Sequence, residues 1–245
     1  MFLFNKPKKR LEDLIPDGYT DIHSHLLPGI DDGAKDEQNT IELINALKSY
    51  GFSQFITTPH ILNGVWNNTK SGIVAKESDT KKLLDKEGIN NLFKAAAEYM
   101  MDETFMKLIK NEPLLTIKEN YVLVEMSYLN PPIQLYDILF ELQVAGYTPI
   151  LAHPERYLFY HQKFEEYGKL KKAGCLFQLN LLSVTGYYGK HVAEISNKLL
   201  ENDMINFTGS DVHHNRHIAA FKNKVLLKKY DKLEAAINKN TFFNV

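Results

Sequence analysis

The chain has 245 residues, of which 29 are basic, 30 acidic and 44% hydrophobic. That length supports one large core, because α/β domains run to this size as a single unit. The balanced charge, without a basic stripe, excludes a dedicated nucleic-acid surface, and the single cysteine, Cys175, excludes both an internal disulfide and a thiolate metal cluster.

The first ten residues place apolar side chains ahead of Lys8, Lys9 and Arg10, the reverse of a signal peptide. Residues 1–18 are expected as a loosely docked N-terminal tail, with weak membrane or partner contact as the alternative, ahead of one domain over 19–245. No apolar run reaches the roughly 20 residues that span a bilayer. A cytoplasmic protein without a transmembrane segment is the expectation.

From residue 19 short apolar runs alternate with segments of helical period. The first predicted strand, 19–23, leads to a helix over 36–50, with Ile41, Ile44 and Leu47 on one face and Gly51 to stop it. The second strand, 52–57, opens the least regular stretch, 61–90, read as a loop around Gly64–Asn68 and a polar helix over 78–86. The third strand is 92–97. The fourth, 121–125, leads to a helix over 132–145, with Pro132 at its start and Gly146 after it. The fifth, 148–152, precedes a helix over 164–172. The sixth, 175–181, precedes one over 191–202, where Val192, Ile195 and Leu199 recur at helical spacing. The seventh, 205–208, is followed by a helix over 218–230.

Most of these strands read apolar on both faces, as in a parallel sheet covered on both sides. Repeated strand–helix units then imply an α/β fold. Seven strands are too few for a regular eight-fold barrel, so a distorted (β/α)7 TIM-like barrel in a single domain is expected, with an open doubly wound sheet as the alternative.

Five of the nine histidines, His23, His25, His60, His153 and His213, lie at downstream ends of predicted strands. Asp21, Glu98, Glu125 and Asp211 mark the same kind of position. Imidazoles and carboxylates gathered at several strand ends are what a multinuclear metal site needs. His23 and His25 are two apart, so in a strand they share a face; Asp211 and His213 repeat that spacing. Glu125 closes a run favouring burial, and a buried carboxylate needs a counter-charge that a metal supplies. Arg156 follows His153, and Arg216 follows His213. Guanidinium groups beside a metal cluster suit an anionic, phosphate-bearing substrate. Trp66 follows His60 in the irregular stretch, as either a substrate-facing lid residue or a packing anchor. His161, His191, His214 and His217 receive no role.

Taken together, His23-Ser-His25, Asp31-Asp32-Gly33, Thr58-Pro59-His60, Glu98, Glu125, Ala152-His153-Pro154 and Ser210-Asp211-Val212-His213 resemble the polymerase-and-histidinol-phosphatase superfamily of metal phosphoesterases. The stretch from Asp21 to Gly33 and Ala152-His-Pro-Glu-Arg156 are most similar to its branch of bacterial tyrosine-protein phosphatases controlling capsule and exopolysaccharide synthesis. The resemblance covers about Asp21 to Arg216. It implies a distorted seven-stranded barrel holding three divalent metals, manganese first, with iron, zinc or magnesium as alternatives. One metal would take His23, His25, Glu98 and Asp211. A second would share Glu98 and add Glu125 and His153; the third would take Asp32, His60 and His213. Arg156 and Arg216 would hold the phosphate, with Trp66 near the substrate. The implied partner is a phosphotyrosine protein, a membrane-associated tyrosine autokinase.

The implied chemistry is metal-assisted hydrolysis of a phosphomonoester. A cysteine mechanism is set aside: six residues after Cys175 stands Leu181 rather than an arginine, and both lie in an apolar run. Three other readings stay open: a small-molecule phosphatase of the same superfamily acting on histidinol phosphate or a sugar phosphate, a barrel amidohydrolase, and a non-catalytic metal-binding domain.

Overall fold

The computed structural model describes residues 8–244. Two parallel sheets carry the chain. One has the order β1 (Tyr19–Asp21), β2 (Phe52–Thr57), β4 (Leu92–Ala95). The other runs β3 (His60–Ile61), β5 (Glu98–Met100), β6 (Tyr121–Glu125), β7 (Thr148–Ala152), β8 (Leu176–Asn180), β9 (Phe207–Gly209). The fold is mixed α/β, with a helix after each strand except at the direct steps from β2 to β3 and from β4 to β5.

The strand expected over 92–97 is shorter, with β4 stopping at Ala95, and a further strand that was not predicted, β5, starts at Glu98. The step between β2 and β3 falls at Thr58-Pro59, where the proline has no N–H to give a ladder. Main-chain bonds bridge both steps: the Ala96 N–H donates to the Thr57 carbonyl at 2.8 Å and the Glu98 N–H to that of Pro59 at 3.1 Å. On the far side, Ser24 and Val212 form a parallel bridge beyond the ends of β1 and β9.

Strands β6 to β9 are buried on both faces, as their composition requires. Val122 and Val124 of β6 and Leu151 of β7 join the large core under the helices. Alternate residues, Leu123, Ile150 and Ala152, meet Ile22, Ile56, Ala96 and Phe243 in a second, smaller core on the opposite face. Period-two alternation divides one strand between two cores.

Helix α1 (Glu37–Lys48) begins at Asp36, whose carboxylate accepts the Asn39 N–H at 2.8 Å, an N-cap that satisfies an otherwise orphaned donor. Helix α2 (Lys70–Lys86) starts one turn after the Leu62–Trp66 hairpin, well before the predicted 78, because Thr69 caps it and Ile73 and Thr80 are its buried contacts. Helix α3 (Glu103–Asn111) was not predicted; Asp102 caps it and Phe105 and Ile109 bury its inner face. Helices α4 (Leu135–Val144), α5 (Glu165–Lys172) and α6 (Lys190–Glu201) fall within two or three residues of expectation.

The helix expected over 218–230 does not form. Its place is taken by α7 (Asn215–Ala220), an extended stretch and α8 (Asp231–Lys239). Val225 and Leu227 are buried at two-residue spacing, and the main chain there bonds elsewhere: the Val225 N–H donates to the Lys9 carbonyl and that of Leu226 to Val184. The described part of the expected tail is held by the same pairing. Leu11, Leu14 and Ile15 are buried in the main core, so residues from Leu11 onward belong to the folded body; the apolar start, residues 1–7, lies outside the described residues. No helix among the described residues is long and apolar enough to cross a membrane.

Candidate metal centre

His23, His25, Glu125, His153, Asp211 and His213 sit at or just beyond a strand's downstream end, His60 and Glu98 open the short strands β3 and β5, and Asp32 lies in the loop before α1. After β1, Asp21 accepts the Ser210 N–H at 2.9 Å and the Ser210 hydroxyl at 2.5 Å, tying the end of β1 to the chain after β9. Burial pushes the Asp21 carboxyl up to about 6. It is a strut rather than a member of the cluster.

His23 follows. Its Nδ1 lies 2.7 Å from Gln178 Oε1, while the Gln178 amide donates to the Leu179 carbonyl at 2.7 Å. That second bond orients the amide, so Oε1 accepts from Nδ1–H and the Nε2 lone pair is left for a ligand role. His25 is held the same way: its Nδ1 lies 2.8 Å from Asp31 Oδ2. Asp31 also accepts the Gly33 N–H at 2.9 Å and the His60 N–H at 3.1 Å, joining three ligand-bearing segments. Burial opposes its ionisation, but the His25 ring outweighs this and holds the carboxyl well below its ordinary range. Gly33 packs so closely that a Cβ would stand 2.2 Å from the His25 carbonyl oxygen. His153 and Asp211 carry left-handed backbone, with φ of 36° and 50°, strain of the kind that concentrates at functional sites.

The nine predicted ligands converge. Four sets hold their ligand atoms within 4.8 Å of one another: His23 with His25 and Asp211; His23 with Glu98 and His153; His60 with Glu98 and Glu125; and His25 with Asp32, His60 and His213. Glu98 is the hub. Its Oε2 lies 3.2 Å from His23 Nε2 and 3.3 Å from His60 Nδ1, and its Oε1 3.2 Å from His153 Nε2. His60 also reaches Glu125 at 2.9 Å and Asp32 at 3.5 Å, so it borders two of the expected metal positions rather than one.

These donors fit divalent cations. His23 and His25 bring their Nε2 atoms to 3.4 Å, an arrangement of two lone-pair donors that a shared cation satisfies. Glu98 Oε1 and His60 Nδ1 are buried yet make no properly directed hydrogen bond, despite ion-pair neighbours; a metal would supply the missing partner. Burial works against charging His23, His25 and His60, but the surrounding carboxylates outweigh it and raise all three, His60 to about 9. The cluster therefore draws in positive charge. Burial holds His153 and His213 down at about 4, in the neutral form that binds metal.

Beside the cluster lies a cavity of about 360 Å³. Arg156 projects into it from the short turn after β7 and donates to Asp211 Oδ2 at 2.7 Å. Its guanidinium is sandwiched between Tyr128, 4.8 Å from the ring centroid, and Tyr188, 4.2 Å away. Although burial opposes the charge, the rings and Asp211 keep the group protonated. Glu155, next in sequence, is fully buried and accepts the Ser183 hydroxyl at 2.6 Å and the Asn180 N–H at 3.0 Å, fixing the turn that carries Arg156.

Arg216 and Trp66 are not brought into the cavity. Arg216 is exposed on α7, and Trp66 is half-buried in the hairpin, bonded through its main chain to Leu62. Helix α7 presents His217 inward instead: its Nδ1 accepts the His213 N–H at 3.2 Å, and it lines the cavity with His214. His214 and His217, given no role from the sequence, line this cavity, and Tyr128, Tyr188, Asn180 and Gln178 stand in no spacing that signals chemistry; Asp31 alone had a signal, its place in Asp31-Asp32-Gly33.

The profile of the family described as capsular polysaccharide synthesis, CpsB/CapC, matches residues 19–240. The tyrosine-protein phosphatase YwqE of Bacillus subtilis (strain 168) is 31% identical over 195 residues, 79% of this chain and 77% of that protein. The putative tyrosine-protein phosphatase CapC of Staphylococcus aureus is 28% identical over 221 residues, 88% of this chain and 87% of that protein. A chain from the crystal structures of YwqE from Bacillus subtilis and CpsB from Streptococcus pneumoniae, metal-dependent tyrosine phosphatases, superposes with a TM-score of 0.77 at 28% identity, covering 92% of this chain and 88% of that one. With its match running from β1 to the end of α8, the chain belongs to the CpsB/CapC family of capsular polysaccharide synthesis.

Proposed function

We propose that this chain is a metal-dependent protein-tyrosine phosphatase of capsule or exopolysaccharide synthesis, acting in the cytoplasm on a phosphorylated, membrane-associated tyrosine autokinase. The observation that carries this reading is the junction of the nine-ligand cluster with the clamped guanidinium of Arg156 in one cavity. His23, His25, Glu98 and Asp211 would hold one cation, Glu98, Glu125 and His153 a second, and Asp32, His60 and His213 a third; manganese suits this nitrogen and oxygen set, as do iron, zinc or magnesium. Bound divalent cations supply an activated water and neutralise charge developing on phosphoryl oxygens.

The chain's own residues do the rest. Arg156 binds the phosphate in one orientation, because its faces are covered by Tyr128 and Tyr188 and one edge is tied to Asp211. That pre-organisation removes most of the rotamer entropy that a free arginine would lose on binding. Gln178 and Asp31 hold the rings of His23 and His25. A tyrosyl leaving group, with a pKa of roughly 10, departs more readily than an alkoxide. Arg216, exposed on α7, is given no phosphate contact in this proposal, and Trp66 no substrate contact.

The same reading includes one catalytic domain, to which the core residues from Leu11 onward are joined, whose strands close into a distorted seven-stranded barrel. The parallel bridge Ser24–Val212 supports closure, as do the bonds from the Asp211 N–H to the His23 carbonyl at 2.7 Å and from the His25 N–H to that of Val212 at 3.0 Å.

The test is a comparison of substrates on the protein before and after chelation and after manganese is restored. Hydrolysis of phosphotyrosine peptides that disappears with chelator and returns with metal is the expected result. Faster hydrolysis of histidinol phosphate or sugar phosphates would favour a small-molecule phosphatase. Metal binding without any phosphoester hydrolysis would overturn the enzyme reading.

A further inference from the structure

Three adjacent strand ends carry a second pattern. His60, Glu98 and Glu125 face the metal centre, and the residues two positions further on, Leu62, Met100 and Ser127, line another cavity. Along a strand, residues two apart share a face and lie about 7 Å apart. The second cavity therefore lies next to the first, its wall reached two residues further along the chain from each of three ligands. It measures about 510 Å³ and is mostly apolar, lined by Leu62, Met100, Met101, Pro132, Ile133 and Ile138. Ser127 in its wall is bonded to Tyr128 in the wall of the metal cavity, so the two share a partition. In its wall Ile133 is fully exposed, and Leu129, one residue before the lining residue Asn130, is 86% exposed. Large apolar side chains left in water beside a reaction site mark a surface that a partner covers.

We infer that this groove is a subsite for an apolar side chain next to the phosphotyrosine of a protein substrate; this rests on the phosphatase reading above. The partition decides the occupant. A second copy of the chain seated on the groove would press on Tyr128 and close the mouth that the phosphate must enter. Lys8, the first described residue, lines a different cavity together with Lys190 and Leu226. A substrate segment, by contrast, must cross the partition to bring its phosphate to Arg156, and its neighbouring residue then lies over the groove. Asp102 and Glu103 stand at one edge, so an acidic neighbour is disfavoured.

The experiment uses the full, metal-loaded chain and phosphotyrosine peptides in an alanine background. A single Leu or Asp is moved through the positions on either side of the phosphotyrosine, with p-nitrophenyl phosphate as the reference substrate. Leu at one position is expected to lower KM on the order of tenfold, the scale of burying one such side chain, and Asp there to raise it. Ile133→Asp is expected to erase that preference and lower the ratio of peptide to p-nitrophenyl phosphate kcat/KM. Ile133 is fully exposed in the free chain, so the exchange costs the fold little. Equal KM at every position, or a Leu preference that survives Ile133→Asp, overturns the inference. A preference that emerges only on deleting residues 1–7, or only on dilution, means that the chain fills its own groove and overturns it as well. Failure to hydrolyse both peptides and p-nitrophenyl phosphate refutes the phosphatase reading itself.

Discussion

The guanidinium of Arg156 illustrates how much of a site lies in the neighbours of its named residue. It touches one carboxylate and two rings, and each contact restrains a different freedom. Arg156→Lys keeps the charge but loses the planar fork and the stacking. A charge-assisted hydrogen bond contributes about 1.5–3 kcal/mol, so kcat/KM for a phosphotyrosine peptide is expected to fall roughly ten- to hundredfold, mainly through KM, with an unchanged circular dichroism spectrum. A change under about twofold would remove Arg156 from the phosphate site. Gln178 acts through His23. Replacing it with Leu leaves the buried Nδ1–H unpaired and frees the ring to turn. Metal affinity measured by calorimetric titration should drop about 10- to 100-fold, and equal affinity would show that Gln178 does not hold the ring.

At the scale of elements, the turn from His25 to Gly33 shows a loop built as tightly as a core. The Ala34 N–H donates to the His25 carbonyl at 2.9 Å, and Gly33 lies against that same carbonyl. Gly33→Ala must push the two apart and carry the His25 ring with them. A lower thermal midpoint, equivalent to about 1–3 kcal/mol of overpacking, and weakened metal binding are both expected. Gly168 is the contrasting case: it lies inside α5, with nothing within 4 Å of a built Cβ. Gly168→Ala should stabilise by about 0.5–1 kcal/mol in urea denaturation, with metal affinity unchanged. If both glycines responded alike, the close approach at Gly33 would not be what demands glycine.

For the molecule as a whole, burial of acidic protons sets the alkaline limit. Burial pushes the Cys175 thiol up to about 12 and raises Tyr19 well above its ordinary value; Tyr167 is raised for the same reason. The folded chain keeps protons that the unfolded chain releases above about pH 8.5 for cysteine and 10 for tyrosine. Stability therefore falls as pH rises through that range. The urea midpoint is expected to decline above roughly pH 9, and Cys175 should resist thiol reagents at pH 8 until the protein unfolds. A midpoint flat to about pH 11 would contradict the burial of these groups.

The sequence by itself determined where most of the clustered histidines and carboxylates stand. Short apolar runs ending in His or an acid are a local signal, and β2, β6 and β7 match their predicted bounds because burial on both faces writes a continuous apolar run. Eight of the nine residues that gather in the cluster stand by such runs, and Asp32 entered through the resemblance. Helix α3 was legible in principle, with Asp102 as a cap and Phe105 and Ile109 four apart, whereas α7 and α8 were not. Their boundary depends on Val225 pairing with Lys9 at the other end of the chain, and no local period announces such a partner. Only the tertiary structure decided that Arg156 enters the cavity while Arg216 stays in solvent. It alone set His60 between two ligand groups and brought Tyr128, Tyr188 and Gln178 to the site. Strand ends are specified by nearest neighbours in sequence, but the partners that aim a side chain come from other strands, and their meeting is a property of the packed sheets.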